Sequence, residues 1–412
     1  MNDEQFRAEV RGWLAARLAS TEFACLVGKG GTGRAHEFVA ERMAWERCLG
    51  ADGWIGLGWP EEDGGRGLPW HRQVIFYEEY ARANAPGRVG HIGEQLVAPT
   101  LLMFGTPEQK ARFLPGIAAG TELWCQGYSE PGAGSDLAGL RTRAALRDDE
   151  WHIDGQKIWT SLAHVADWCF LLARTVPLDS TGPGAERHRG LSCLLVPARQ
   201  PGIEIRPITQ ITGTAEFNEV FFNDARTAAG NVAGEPGDGW RVALGMLGVE
   251  RGVSNFGQLI GFQREFESVL AAARGNGSIA DPDVAARIAD AWIGLQVMRF
   301  TAEDTLAAPG PAPAVGGAVV GGPVAGGAVA GGAVPGGTAA NIAKLLWTAW
   351  HQHLGELAVD VAGPDATLAG PDYDLTDTQR LFLFARAETI FGGSNEIQRN
   401  IVAERGLGLP RG

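Results

Sequence analysis

The sequence predicts an α+β fold with its sheet confined to the middle of the chain. Over the first ~120 residues, apolar residues recur at spacings of three and four, as in amphipathic helices. From about Leu123 the period becomes two, and after about Gly237 the helical period returns. This order predicts a helical domain over 1–122, a β domain over 123–229 and a helical bundle over 230–412.

Composition limits the class of protein and its partners. The 412 residues are 45% hydrophobic and 20% charged, which is ordinary for a globular protein with two or three domains. A net charge of −13 argues against nucleic acid as a partner. The start, MNDEQFRAEVRGWLAARLA, reads as an amphipathic helix, neither a signal peptide nor a membrane span. No integral membrane association is expected.

Cysteines and histidines favour a reduced compartment and argue against a metal. Five cysteines are scattered without C-x-x-C spacing, as expected of free thiols in a cytoplasmic protein. The eight histidines include no H-x-x-x-H pair. His351 and His353, two apart, would point in different directions on a helix. The sequence therefore predicts no zinc site.

Short runs with period two define the central sheet. They are WHIDGQKIWTS, DWCFLLART, GLSCLLVPA, GIEIRPI and FNEVFFNDA. Asp148 and Asp149 precede the first run and suggest a hairpin.

A repetitive segment interrupts the C-terminal helices. Residues 316–340 repeat a five-residue unit with paired glycines, after the Pro-Ala-rich AAPGPAPAV. Small residues bury too little surface to offset their ordering entropy, so a flexible insert is predicted over 307–338. A tolerated surface insertion is favoured over a binding role.

The stretch YSEPGAGSDLAGLRT, residues 128–142, lies where helices give way to strands. Its glycines let a ligand approach the backbone, although a plain connecting turn is the alternative. About 25 residues later, DGQKIWTS ends a strand with an indole, Trp159, beside the hydroxyls of Thr160 and Ser161. Together they suit a flat heteroaromatic cofactor.

The bend IFGGSNEIQRN, residues 390–400, predicts a turn followed by a helix start. Gly392 and Gly393 precede the capping residues Ser394 and Asn395, and Gln398 would complete a capping box with Asn395. Such a turn presents backbone N–H groups to an anion or a carbonyl.

These stretches, with FGTPEQKARFLPGIAAG and IDGQKIWTSLAHVADWCFLLART, resemble the acyl-CoA dehydrogenase family of flavoproteins over nearly the whole chain. The resemblance implies an N-terminal helical domain, a central β-barrel or sandwich and a C-terminal four-helix bundle. It also implies FAD, an acyl-CoA substrate, α,β-desaturation, and electron transfer flavoprotein as oxidant.

Site residues follow from the same resemblance. Tyr128 and Ser129 should line the flavin, Trp159 should pack on its ring, and Ser161 should hydrogen-bond near its reactive nitrogen. Ser135 should lie near both the cofactor and the CoA portion of the substrate. The full set expected to bind the cofactor is Gln126, Tyr128, Ser129, Gly134, Ser135, Trp159, Thr160, Ser161, Ser394 and Glu396.

The catalytic base is missing from its commonest place. Many family members carry a glutamate where this chain has Gly392, so either the base lies elsewhere or the chain is catalytically silent. Some branches place it before an arginine on the first long C-terminal helix, where this chain has Glu250 and Arg251. On a helix Glu250 would share a face with apolar residues, which should raise its pKa. A structural ion pair is the alternative role for Glu250.

The resemblance gives Gly392 and Arg251 roles of their own. The Gly392 N–H should donate to the thioester carbonyl, and its lack of a side chain should widen the acyl pocket. Arg251 should orient the site or contact the substrate.

Half of the expected cofactor site departs from the family pattern. The Phe-Gly after the first long helix is absent from ARGNGSIADPD, and a glycine-rich element is altered to VDVAGPDATLAG. A heteromer with a homologous subunit is favoured over substituted contacts within a homo-oligomer. A silent subunit completing a partner's FAD site, and a flavin oxidase or monooxygenase, are alternative functions.

Overall fold

The computed structural model describes residues 1–31, 33–176, 187–307 and 337–410, apart from the side chains of 248–257, 303–307 and 337–338. The insert predicted over 307–338 lies almost wholly outside these ranges.

Five helices form the N-terminal part of the structure: α1 (Asp3–Leu18), α2 (Val39–Ala51), α3 (Trp70–Arg82), α4 (Ala98–Phe104) and α5 (Pro107–Ala118). Capping boxes begin two of them, Asn2 with Gln5 at α1 and Thr106 with Gln109 at α5. A π-helical turn, Gly93–Val97, leads into α4. Aromatic rings fill the core between α1, α2 and α3, with Trp54 stacked on Phe76 at 5.4 Å.

The strands that follow form one eight-stranded sheet in the order β6-β7-β3-β2-β4-β5-β8, with β1 paired to β4. They are β1 (Trp124–Gly127), β2 (Arg143–Arg147), β3 (Glu150–Ser161), β4 (Trp168–Arg174), β5 (Leu191–Pro197), β6 (Ile203–Ile208), β7 (Phe217–Ala228) and β8 (Val232–Ala233). The Thr227 hydroxyl donates to the Leu195 carbonyl at 2.6 Å, so β7 folds back over β5. The β2–β3 hairpin turns at Asp148 and Asp149, both at positive φ, which confirms the predicted turn.

The C-terminal part contains α6 (Gly239–Asn276), α7 (Pro282–Ala307), α8 (Gly337–Ala362), α9 (Asp377–Glu388) and α10 (Asn395–Ile401). Helices α6 to α9 pack around a core that includes Phe262, Leu295, Leu354 and Leu357. Helix α6 also contacts the sheet and α3, because Val242, Ala243 and Met246 belong to the same core as the N-terminal helices. The predicted α+β class is confirmed.

Among the residues that the structure describes, none of the helices combines the length and the apolar composition that crossing a membrane requires. In the same part of the chain, no three His, Cys, Asp or Glu side chains cluster so as to hold a metal ion.

Candidate active site

A bulge near the end of β3 presents an indole to solvent. The register between β3 and β7 shifts between Lys157 and Thr160, and Trp159 within the shift has φ +60°. A bulge re-aims side chains, and a non-glycine residue at this φ is strained. Trp159 is 56% exposed, and its ring meets Phe217 edge-on at 6.2 Å. The bulge thus holds an aromatic plane at the surface.

The neighbours of Trp159 have different environments. Ser161 is half-buried and lines a cavity of about 450 Å³. Thr160 is fully buried, and its carbonyl accepts a hydrogen bond from Asn218 Nδ2 at 2.9 Å. Its hydroxyl has no partner within the described residues. Of the two predicted hydroxyls, Ser161 is therefore the one that reaches open space.

The cavity lies where helices from both ends of the chain meet the sheet. Its walls include Arg42, Tyr77, Arg88, His91, Gln95, Ser161, Leu162, Glu216, Phe217, Gln258 and Phe384. Burial lowers the pKa of His91 and raises the pKa of Glu216, because it disfavours the charged form of each side chain. The Arg88 guanidinium is neutralised by Glu46 and Glu94, each 2.8 Å away. The cavity surface is mainly apolar, and the charge of Arg88 on its wall is balanced by the two glutamates.

Strand β1 and the residue after it face helix α6. Gln126 Nε2 lies 3.3 Å from the Met246 sulfur, and the Tyr128 hydroxyl lies 3.2 Å from the same atom. Glu250 follows Met246 by four residues in α6, a spacing that places both positions on one helix face. The side chains of Glu250 and Arg251 lie outside the described residues.

A buried ion pair that the sequence pattern does not predict holds the loop of residues 128–142, the Gly/Ser loop. Glu130 accepts hydrogen bonds from the amides of Arg141 and Thr142, at 2.7 and 2.8 Å. Fully buried Lys157 donates to Glu130 and to the Tyr128 carbonyl, each at 2.9 Å. Burial opposes the charge on Glu130, but Lys157 and these donors lower its pKa. In the sequence, the indication of this pair is a charged residue, Glu130, within the loop.

Beyond this anchor the loop is open. Ser129 is half-buried, whereas Gly134 and Ser135 are exposed. A Cβ built on Gly132 or Gly134 would meet no protein atom within 4 Å. Packing within the chain therefore does not require either glycine, and the loop offers bare backbone to a ligand.

The bend before α10 is built from two left-handed glycines. Gly392 has φ +63° and Gly393 has φ +86°, a region where a side chain costs roughly 1–2 kcal/mol. Lys344 of α8 donates to the carbonyls of Phe391 and Gly393. Gln398 donates to the Gly392 carbonyl at 2.9 Å. The backbone conformation gives an independent reason for the missing side chain at Gly392.

The capping box predicted at Asn395 is wrong. Ser394 is the cap of α10, and its hydroxyl accepts from the Ile397 amide at 3.4 Å. Asn395 is already helical and buried, and it accepts a hydrogen bond from Thr348 at 3.2 Å. Gln398 turns back to the Gly392 carbonyl instead of capping.

The structure brings together part of the predicted set. Gln126 and Tyr128 meet α6, and Ser161 shares the cavity with Gln258 of the same helix. Ser394 and exposed Glu396 stay at the α10 start, where the Glu396 amide and the Ser394 side chain lower the pKa of Glu396. The Ser394 hydroxyl accepts from the Ile397 amide and the Glu396 carboxylate pairs with Arg399, so both side chains make these contacts within α10.

Family models match almost the whole chain. Residues 2–121 match the acyl-CoA dehydrogenase N-terminal domain, 125–225 the middle domain and 237–407 the C-terminal domain.

Individual relatives agree with these matches. Acyl-CoA dehydrogenase IpdE1 of Mycobacterium tuberculosis is 56% identical over 409 residues, which cover 99% of this chain and 98% of that protein. The Tcur3481-Tcur3483 steroid ACAD is 30% identical, with a TM-score of 0.78 over 100% of this chain and 98% of that one. A chain of the ChsE4-ChsE5 complex from Mycobacterium tuberculosis is 32% identical, with a TM-score of 0.77 over the same shares. This chain belongs to the acyl-CoA dehydrogenase family of flavoprotein oxidoreductases.

Proposed function

We propose that this chain forms the α,β double bond of an acyl-CoA thioester with bound FAD, using Glu250 as the base, and passes the electrons to electron transfer flavoprotein. The contact of Gln126 and Tyr128 with Met246 carries the proposal. It ties the predicted flavin-facing segment to α6 one helical turn before Glu250.

The residues present fit FAD. The exposed indole of Trp159 offers a plane for the ring system, and the bare backbone at Gly134 leaves room for close approach. Gln126, Tyr128, Ser129 and Ser161 would surround the flavin, with Ser135, Ser394 and Glu396 nearer the rest of the cofactor. When bound, FAD supplies the acceptor for the hydride that leaves Cβ.

Glu250 removes the Cα proton in this scheme. A carboxylate positioned as a general base contributes typically 10²- to 10⁴-fold to the rate. Arg251, the next residue in α6, orients the thioester or contacts the CoA portion. No second base is needed at position 392, where the left-handed backbone disfavours a side chain.

Gly392 stabilises the charge that develops on the thioester oxygen as the proton leaves. Its amide donates no hydrogen bond within the described residues, so it is available to a ligand carbonyl. One preorganised donor of this kind is worth roughly 2.7–4 kcal/mol. The missing side chain also leaves space for a bulky acyl group.

We further propose a polycyclic, steroid-derived acyl group in the cavity beside Ser161. Its volume of about 450 Å³ is adequate, and its balanced charges suit a neutral acyl group that carries hydrogen-bonding oxygens. The similar steroid ACAD points in the same direction.

We propose that this chain assembles with a homologous partner subunit. Two of the similar structures are named as pairs of proteins, ChsE4-ChsE5 and Tcur3481-Tcur3483. Helix α7 also exposes an apolar stripe of Ile293, Val297 and Phe300, each about half exposed. Such a stripe is typical of a surface that another chain covers.

The test is a panel of acyl-CoA substrates. Each is assayed with the chain purified by itself and with the complex that forms when the homologous subunit is co-expressed. We expect the complex to desaturate a polycyclic acyl-CoA faster than straight-chain or branched acyl-CoAs. Flavin-loaded complex that desaturates no acyl-CoA would contradict the proposed activity and favour the silent subunit. Rapid reaction of the reduced complex with oxygen would favour an oxidase or monooxygenase.

A further inference from the structure

The Lys344 ammonium of α8 binds backbone carbonyls of the Gly392 bend. Lys344 is only 7% exposed, and its ammonium donates to the carbonyls of Phe391 and Gly393. The carbonyl between them, that of Gly392, accepts from Gln398. Three successive carbonyls therefore turn toward α8 and α10.

One of these contacts acts on the peptide group that matters most for the chemistry. The Phe391 carbonyl and the Gly392 N–H belong to the same trans peptide, in which the two groups point in opposite directions. A donor fixed on that carbonyl therefore directs the N–H away from α8. Successive amides turned to one side form a concave site for anionic oxygen.

We propose that Lys344 is a positioning residue for the oxyanion-stabilising amide of Gly392. Its ammonium fixes the Phe391–Gly392 peptide and polarises it, so that the N–H donates more strongly to the thioester oxygen. Charge-assisted hydrogen bonds are about twice as strong as neutral ones, and bonds in series strengthen one another. The inference rests on the role proposed above for Gly392.

Holding the bend does not by itself explain a lysine. Burying an ammonium costs several kcal/mol before its partners compensate. Gln398 shows that a neutral amide can bind the next carbonyl of the same bend. An ammonium on the Phe391 carbonyl therefore does more than a neutral donor would, because its charge polarises the Phe391–Gly392 peptide.

The experiment measures the thioester carbonyl itself. The flavin-loaded complex binds the enoyl-CoA product of its best panel substrate, labelled with ¹³C at the carbonyl, and infrared difference spectra record the carbonyl stretch. The variants are Lys344→Met and Lys344→Gln, which remove the charge, the second keeping a neutral donor. Thr348→Val is the matched control, because the Thr348 hydroxyl contacts the Lys344 backbone carbonyl at 2.9 Å and Asn395 Oδ1 at 3.2 Å without touching the Gly392 peptide or the Lys344 ammonium.

Wild type should shift the stretch below its value in solution. The shift should shrink in the order wild type, Lys344→Gln, Lys344→Met, with kcat falling roughly 10-fold in Lys344→Met and KM little changed. Thr348→Val should keep the wild-type shift. If Lys344→Met does not fold, the smaller shift of Lys344→Gln carries the test.

Two results would overturn the inference. One is a folded Lys344→Met or Lys344→Gln with the full wild-type shift. The other is a Thr348→Val variant that loses as much of the shift as the lysine variants, which would reduce Lys344 to packing. A wild-type complex with no shift would instead contradict the proposed role of Gly392 itself.

Discussion

His351 Nδ1 lies 2.6 Å from Oε2 of Glu388 inside the C-terminal bundle. Glu388 precedes Gly392 by four residues. The other ring nitrogen of His351, Nε2, lies 2.7 Å from Glu265 Oε2. Only a doubly protonated ring donates to both carboxylates. Burial opposes that charge, but the two glutamates raise the pKa of His351 to about 9.

This arrangement makes the stability of the bundle depend on pH. Because the folded-state pKa of His351 lies above its ordinary value of 6.5, the contribution is fully present below pH 6.5 and is lost as pH rises toward 9. The loss should be roughly 3 kcal/mol in the free energy of unfolding. Denaturant unfolding at pH 6.5 and pH 9 measures it, with His351→Gln as reference. An equal decline in both proteins would contradict the prediction.

Because the backbone at Trp159 is strained, two substitutions there should weaken FAD binding to a similar extent but differ in their effect on the stability of the fold. Trp159→Ala and Trp159→Gly both remove the indole, so both should weaken FAD binding roughly 2- to 10-fold. Glycine tolerates φ +60°, so the flavin-free Trp159→Gly protein should be about 1 kcal/mol more stable than Trp159→Ala. Flavin titration and urea unfolding give the two numbers. A less stable glycine variant would show that the bulge is not strained.

The apolar stripe on α7 predicts an association surface. Phe300→Asp, at a position 58% exposed, should dissociate the complex because it would bury an unpaired charge. Leu146→Asp changes a similarly exposed apolar residue on β2 and serves as control. Sedimentation velocity should show a smaller species for Phe300→Asp only. Dissociation by both variants, or by neither, would argue against the stripe as the interface.

Local patterns explain what the sequence could predict. Period two and the Asp148–Asp149 pair are properties of adjacent residues, and they located the strands and the hairpin. The sequence predicts both Ser394 and Asn395 as capping residues and the capping box at Asn395, because both residue types are good caps and only tertiary contact decides between them. That contact comes from Thr348, 47 residues away in the chain.

Pairings between distant segments were out of reach. Lys157 and Glu130 are 27 residues apart, and His351 and Glu265 are 86 apart. Neither pair follows a fixed spacing, so each becomes visible only when the fold brings its strands or helices together. The same holds for Lys344, which looks like an ordinary lysine of an amphipathic helix until the bend packs against it.

The most direct test of the central claim compares Glu250→Gln with Glu267→Gln, an exposed glutamate on the same helix. Desaturation of the best acyl-CoA by the flavin-loaded complex is followed in a single turnover, with FAD and acyl-CoA binding measured in parallel. Glu250→Gln should bind both yet react at least ~100-fold more slowly, since the Cα proton has no acceptor. Glu267→Gln should match wild type. Desaturation by Glu250→Gln at the wild-type rate would show that the base lies elsewhere.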